Sequence, residues 1–155
     1  MESWLREARF TVAIEHLNSQ TDWSLLVTPS GRAKSLAVIA TPDATAIQVQ
    51  MIFVMDSVQK NALTNSTTVR PEEFLVSLRA ALSEAPATML LAEVSVFENE
   101  GHLGSVLFVA LKTIPLTDFT RRNLFDAVAA VLSSFDTAER FIVECLGQGI
   151  RGRPP

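Results

Sequence analysis

The chain alternates between two hydrophobic periods, and the switches between them outline its elements. Residues Ser3–Asn18 place Phe10, Ala13, Ile14 and Leu17 on one stripe at helical spacing, with Ser3 able to cap the first turn. Leu5, Ala8 and Val12 form a second stripe roughly opposite, so this predicted helix is apolar on two sides. Three strands are expected next. Asp22–Thr28 carries Trp23, Leu25 and Val27 on one face, and Lys34–Ala40 carries Leu36, Val38 and Ala40. Ala46–Met55 alternates Ile47, Val49, Met51, Phe53 and Met55 with Gln48 and Gln50, and at its far end Ile52 and Val54 make the opposite face apolar too. Turns are signalled by Pro29-Ser30-Gly31-Arg32 and Thr41-Pro42-Asp43.

Asp56–Val69 is polar and reads as an exposed loop. Pro71 suits a first helical position, and Glu72 and Glu73 suit the positive end of a helix. Phe74, Leu75, Leu78, Ala81 and Leu82 are its expected buried stripe, with Pro86 as the stop. Met89–Phe97 and Leu103–Leu111 predict a hairpin around Asn99-Glu100-Gly101. Its second strand is apolar on both sides: Leu103, Leu107, Val109 and Leu111 against Val106, Phe108 and Ala110. A long final helix is predicted from about Asp118 to Leu146, capped by Thr117 and stapled by Leu116. Leu124, Val128, Val131, Phe135, Ala138 and Ile142 form its core stripe. Gly147 and Gly149 are expected to end it, leaving residues 1–147 as one α+β domain and 148–155 as a disordered tail.

Composition narrows the function. At 155 residues the chain suits one domain, and its 19% of charged residues falls below a typical ~25%. Such a surface suits cover by another copy or a partner. The 13 basic residues are scattered and the net charge is −4, which argues against nucleic acid. Met1–Arg9 is too charged for a signal peptide, and apolar stretches such as Leu103–Leu111 fall far short of the ~20 residues of a membrane span. No membrane association and a cytoplasmic location are therefore expected. The Asn65-Ser66-Thr67 sequon is read as chance.

The chemical motifs are weak. Gly147, Gly149 and Gly152 have G-x-G-x-x-G spacing, but a dinucleotide loop lies between a strand and a following helix, whereas these follow a helix. Ser57 and Lys60 match S-x-x-K without a K-T-G partner. His16 and His102 are the two histidines, and Cys145, the single cysteine, excludes an internal disulfide. Glu93, Glu98 and Glu100 would need burial to act as acids. No catalytic residue, metal or cofactor is expected.

The element order, with the stretches Leu36–Ala40, Ile47–Met55 and Leu124–Leu146, resembles the type III secretion chaperone-like superfamily. That group holds bacterial secretion chaperones and YbjN-like sensory-transduction regulators. The resemblance implies a curved antiparallel five-stranded sheet in the order α-βββ-α-ββ-α, helices packed on it, and a dimer. Its chaperones hold an extended client segment against apolar patches without nucleotide. Three helices cannot easily cover both faces of five strands, so a non-enzymatic homodimer that binds a protein segment is expected. The candidate contacts are Ile52, Val54, Val106, Phe108, Ala110, Leu5 and Val12. The alternative is a small-molecule-sensing regulatory domain, with Met51, Phe53, Met55 and Met89 lining an apolar pocket.

Overall fold

The computed structural model describes residues 1–15, 24–66, 70–91 and 105–151; at 15, 105, 106 and 147–151 the description stops at the backbone. Its elements are α1 (Glu2–Glu7), β1 (Thr11–Glu15), β2 (Ser24–Thr28), β3 (Leu36–Ala40), β4 (Ala46–Met55), α2 (Ser57–Thr64), α3 (Pro71–Ala81), β5 (Thr88–Leu91), β6 (Ser105–Pro115) and α4 (Arg121–Arg151). A 3-10 turn, Leu116–Asp118, joins β6 to α4. The strands form one antiparallel sheet of six in the order β1-β2-β3-β4-β6-β5.

The sixth strand is the first departure from expectation. The predicted helix over Ser3–Asn18 stops at Glu7, and Arg9 takes a left-handed φ of 64°. That reversal sends Thr11–Glu15, with the β-branched Thr11, Val12 and Ile14, into pairing with β2. Phe10 stacks on Phe125 of α4 at 6.3 Å, and Leu5 fills the core. Leu17, the turn at Asn99-Glu100-Gly101, His16, His102 and the three glutamates Glu93, Glu98 and Glu100 lie outside the described residues.

The polar stretch after β4 holds a second unexpected element. Asp56 accepts a hydrogen bond from the Gln59 backbone N–H at 2.7 Å, and Gln59 Oε1 accepts one from the Asp56 N–H at 3.1 Å. This capping box starts α2, which sends Leu63 into the core. α3 starts at Pro71, as its sequence implies, and buries Phe74, Leu75 and Leu78. The last helix begins later than expected, with Thr120 rather than Thr117 as its cap: Thr120 Oγ1 accepts from the Asn123 N–H at 3.1 Å. Leu116 is half exposed and lies in the 3-10 turn, four residues before the Thr120 cap. The helical backbone also continues through Gly147 and Gly149 to Arg151.

α4 is the spine of the core. Leu124, Val128, Val131, Phe135, Ala138 and Ile142 are all buried, facing β4 and β6. Phe135 lies 5.9 Å from Phe53 and 5.3 Å from Phe108, whose rings are 5.1 Å apart. Ser134 Oγ donates to the Ala130 carbonyl and accepts from the Ala87 N–H, pinning the start of β5 to α4. From the turn before β3, Arg32 reaches Asp136 with two hydrogen bonds of 2.5 and 2.6 Å. Lys34 pairs with Glu139, its Nζ 5.1 Å from both the Phe53 and Phe135 ring centroids.

Phe135→Ala removes the ring that joins α4 to two strands and is expected to cost about 3–5 kcal/mol of unfolding free energy in urea titrations. The hydrogen-bonded Arg32 guanidinium holds the Asp136 carboxyl below its ordinary value. A depressed folded value means that the pair stabilises above the unfolded carboxylate value, ~3.9, and that this contribution fades as pH falls through the folded value. Both partners are partly exposed, so Asp136→Asn should cost no more than about 1 kcal/mol at neutral pH. In urea titrations across pH the difference from wild type should vanish on acidification below that range.

Candidate functional site

Register decides which side of each strand meets the helices. Residues directly opposite one another in an antiparallel pair share a face. Phe53 faces Phe108 and Met51 faces Ala110, and all four are buried on the helix side. Ile52 faces Val109, and Val109 faces Leu90, so these three form a row on the other side. A second row crosses the whole sheet: Ala13, Leu26, Ala37, Gln50, Leu111 and Thr88. A third joins Glu15, Ser24, Ile39, Gln48 and Thr113.

Among the described residues no helix packs on this second side; α4 contacts β4 and β6 from the first, with α2 and α3 behind it. The uncovered part lies over β4, β6 and β5, where Ile52, Val54 and Leu90 are 48%, 52% and 54% exposed. Val109 and Leu111 are half-buried between them. Apart from Glu15, at the β1 end of the third row, the residues of these rows are uncharged. The face is thus aliphatic, broken by the amides Gln48 and Gln50 and the hydroxyls of Thr88 and Thr113.

Of the predicted contacts, Ile52 and Val54 lie on this face. Phe108 and Ala110 do not: both are fully buried under α4. The reason is parity, since β6 is apolar on both sides and only its pairing with β4 tells which side is inside. Val106 pairs with Val54 through the backbone, and its side chain lies outside the description. A register shift between Phe53 and Val54 leaves Leu107 without an opposite residue, and it too is buried. Leu5 and Val12 are core as well, Val12 because it faces Val27 on the helix side. Sequence reasoning missed Leu90, Val109 and Leu111; the alternation in β6 would have marked Val109 and Leu111 had its inner side been known, and pairing with Val109 then places Leu90 of β5.

The other chemical candidates have ordinary surroundings. Met51, Phe53 and Met55 fill the core, while Met89 is half-buried and lines a shallow groove of about 440 Å³ with Arg79, Leu82 and Leu91. A second groove, about 370 Å³, lies between the end of β6 and α4, lined by Lys112, Ile114, Asp118 and Asp126. Every described buried side-chain nitrogen and oxygen has a hydrogen-bond partner, so no orphaned polar group points into either groove. Burial, and then the neighbouring Glu144 charge, push the Cys145 thiol up, which keeps it protonated at neutral pH. Among the described residues no three His, Cys, Asp or Glu side chains are placed to hold a metal ion, and no helix is long and apolar enough to cross a membrane.

No family model matches the chain, and no curated protein matches it. It is similar in structure to an uncharacterized protein from Methanothermobacter thermautotrophicus, with a TM-score of 0.75 at 13% identity over 94% of this chain and 95% of that one. The likeness is one of fold.

Charge substitutions separate the two sides of β4 and β6. Ile52→Asp and Val54→Asp, on the uncovered side, should change unfolding free energy by less than about 1 kcal/mol. Phe108→Glu buries an unpaired carboxylate, should cost more than about 4 kcal/mol, and should leave no cooperative melt in circular dichroism.

Proposed function

We propose that this chain is a non-enzymatic protein-binding domain, related to the type III secretion chaperone-like and YbjN-like proteins, whose working surface is the uncovered sheet face. The observation that carries this reading is the run of exposed aliphatic side chains Ile52, Val54 and Leu90 on the part of the face over β4, β6 and β5, where no charged residue lies. Water contact with such a surface costs free energy in proportion to its area, roughly 25 cal/mol per Å², and docking a polypeptide removes that cost. The order from β2 to α4 supports the relationship, because it differs from the βββ-α-ββ-α succession that the resemblance implies only by the additional helix α2. The surroundings of Cys145 disfavour it as a nucleophile, since a protonated thiol reacts slowly.

A photo-crosslinking amino acid placed at Val54, and separately at the exposed Val76 of α3, tests the reading in the protein's own host. Crosslinks to a polypeptide are expected from position 54 and not from position 76. Equal yields from both positions, or none from position 54, would overturn the proposal.

A further inference from the structure

We infer that the polypeptide meeting this face is a short amphipathic helix of another protein, with an aliphatic stripe and basic flanks, seated over β6 on the open side. The inference rests on the proposed binding role of the face and names the form of its occupant. It departs from the extended client segment that the resemblance implies.

Hydrogen bonding selects the helix. β4 lies between β3 and β6, and β6 between β4 and β5, so the backbone N–H and C=O groups of both are spent sideways within the sheet. An extended segment laid on their broad side would give up water from its own backbone and find few partners. Gln50 and Thr88 are the polar residues of the two rows there. A helix closes its backbone hydrogen bonds within itself and meets an aliphatic surface with side chains alone. The inner side of the same strands is covered in that way, by the α4 stripe from Leu124 to Ile142.

The dimensions fit one helix. From β4 across β6 to β5 is two strand spacings, about 10 Å, against about 10–12 Å for a helix with its side chains. Along β4 the patch runs from Gln50 to Val54, about 14 Å, which roughly nine helical residues span. Such a helix presents a stripe of i, i+3, i+4 and i+7 positions to Ile52, Val54, Leu90 and the half-buried Val109 and Leu111.

Charge sets its flanks. No lysine or arginine stands in the three rows of the face, and Lys112 of β6 is opposite Val49 on the inner side. The charges placed on the face or at its end are acidic: Glu15 in the third row, and exposed Asp56, directly after β4 in extended backbone. The chain as a whole carries −4. Lysine or arginine beside the stripe is therefore attracted, and glutamate repelled.

Synthetic peptides mixed with the full chain test this by fluorescence anisotropy and circular dichroism. The probe, about 14 residues long, has leucine at stripe positions and lysine or glutamine elsewhere; alone it is mostly unfolded. It should bind and gain helical signal on mixing. A form with a central proline, and another with glutamate in place of lysine, should each bind at least ~10-fold more weakly. Ile52→Gln and Val54→Gln leave the net charge unchanged and should each weaken the probe ~10-fold, whereas Val76→Gln on α3 should not. Unchanged melts confirm that these variants fold. Equal binding by the proline form or to Ile52→Gln, or no binding of the probe, would overturn the helix, and equal binding by the glutamate form would overturn its basic flanks. If the helix falls while position-54 crosslinks still identify a polypeptide, the binding role of the face survives with a different occupant. If they identify none, both fall.

Discussion

Phe135 of α4, wedged against Phe53 of β4 and Phe108 of β6, fixes the parity of the two longest strands. A strand has only two faces, so once Phe53 and Phe108 are inside, Ile52, Val54 and Val109 must lie on the other. The polar contacts around the trio hold the same choice. Lys34 spans the Phe53 and Phe135 rings while paired to Glu139, and Arg32 grips Asp136 one turn earlier on the helix. Such exposed pairs add little energy singly, but they set the height at which β3 meets α4.

The central sheet and the two larger helices were legible in the sequence, because each carries a clean period. The alternation from Ile47 to Met55 marks β4, Pro71-Glu72-Glu73 marks the start of α3, and the stripe from Leu124 to Ile142 marks α4. The α1–β1 junction was hidden, since Phe10, Ala13 and Ile14 fit a helical stripe over so short a run. What breaks the helix is a left-handed Arg9, a conformation its side chain does not advertise, sustained by pairing with β2. α2 did carry a signal, Asp56 with Gln59 three residues on, but the polar run around it masked the pattern.

The candidate face was half legible for a related reason. Ile52 and Val54 stand out because β4 otherwise keeps glutamines on that side. β6 offers no such contrast, so its two sides looked alike until pairing assigned them. Periodicity gives parity within a strand; long-range register, which no local window contains, gives its sign.

The described border strands β1 and β5 are short, five and four residues, against ten and eleven for β4 and β6 at the heart of the sheet. Short margins offer few free backbone groups for lateral growth into fibrils. The exposed aliphatic side chains Ile52, Val54 and Leu90 stand instead on the broad side of the sheet, perpendicular to its hydrogen-bonding edges.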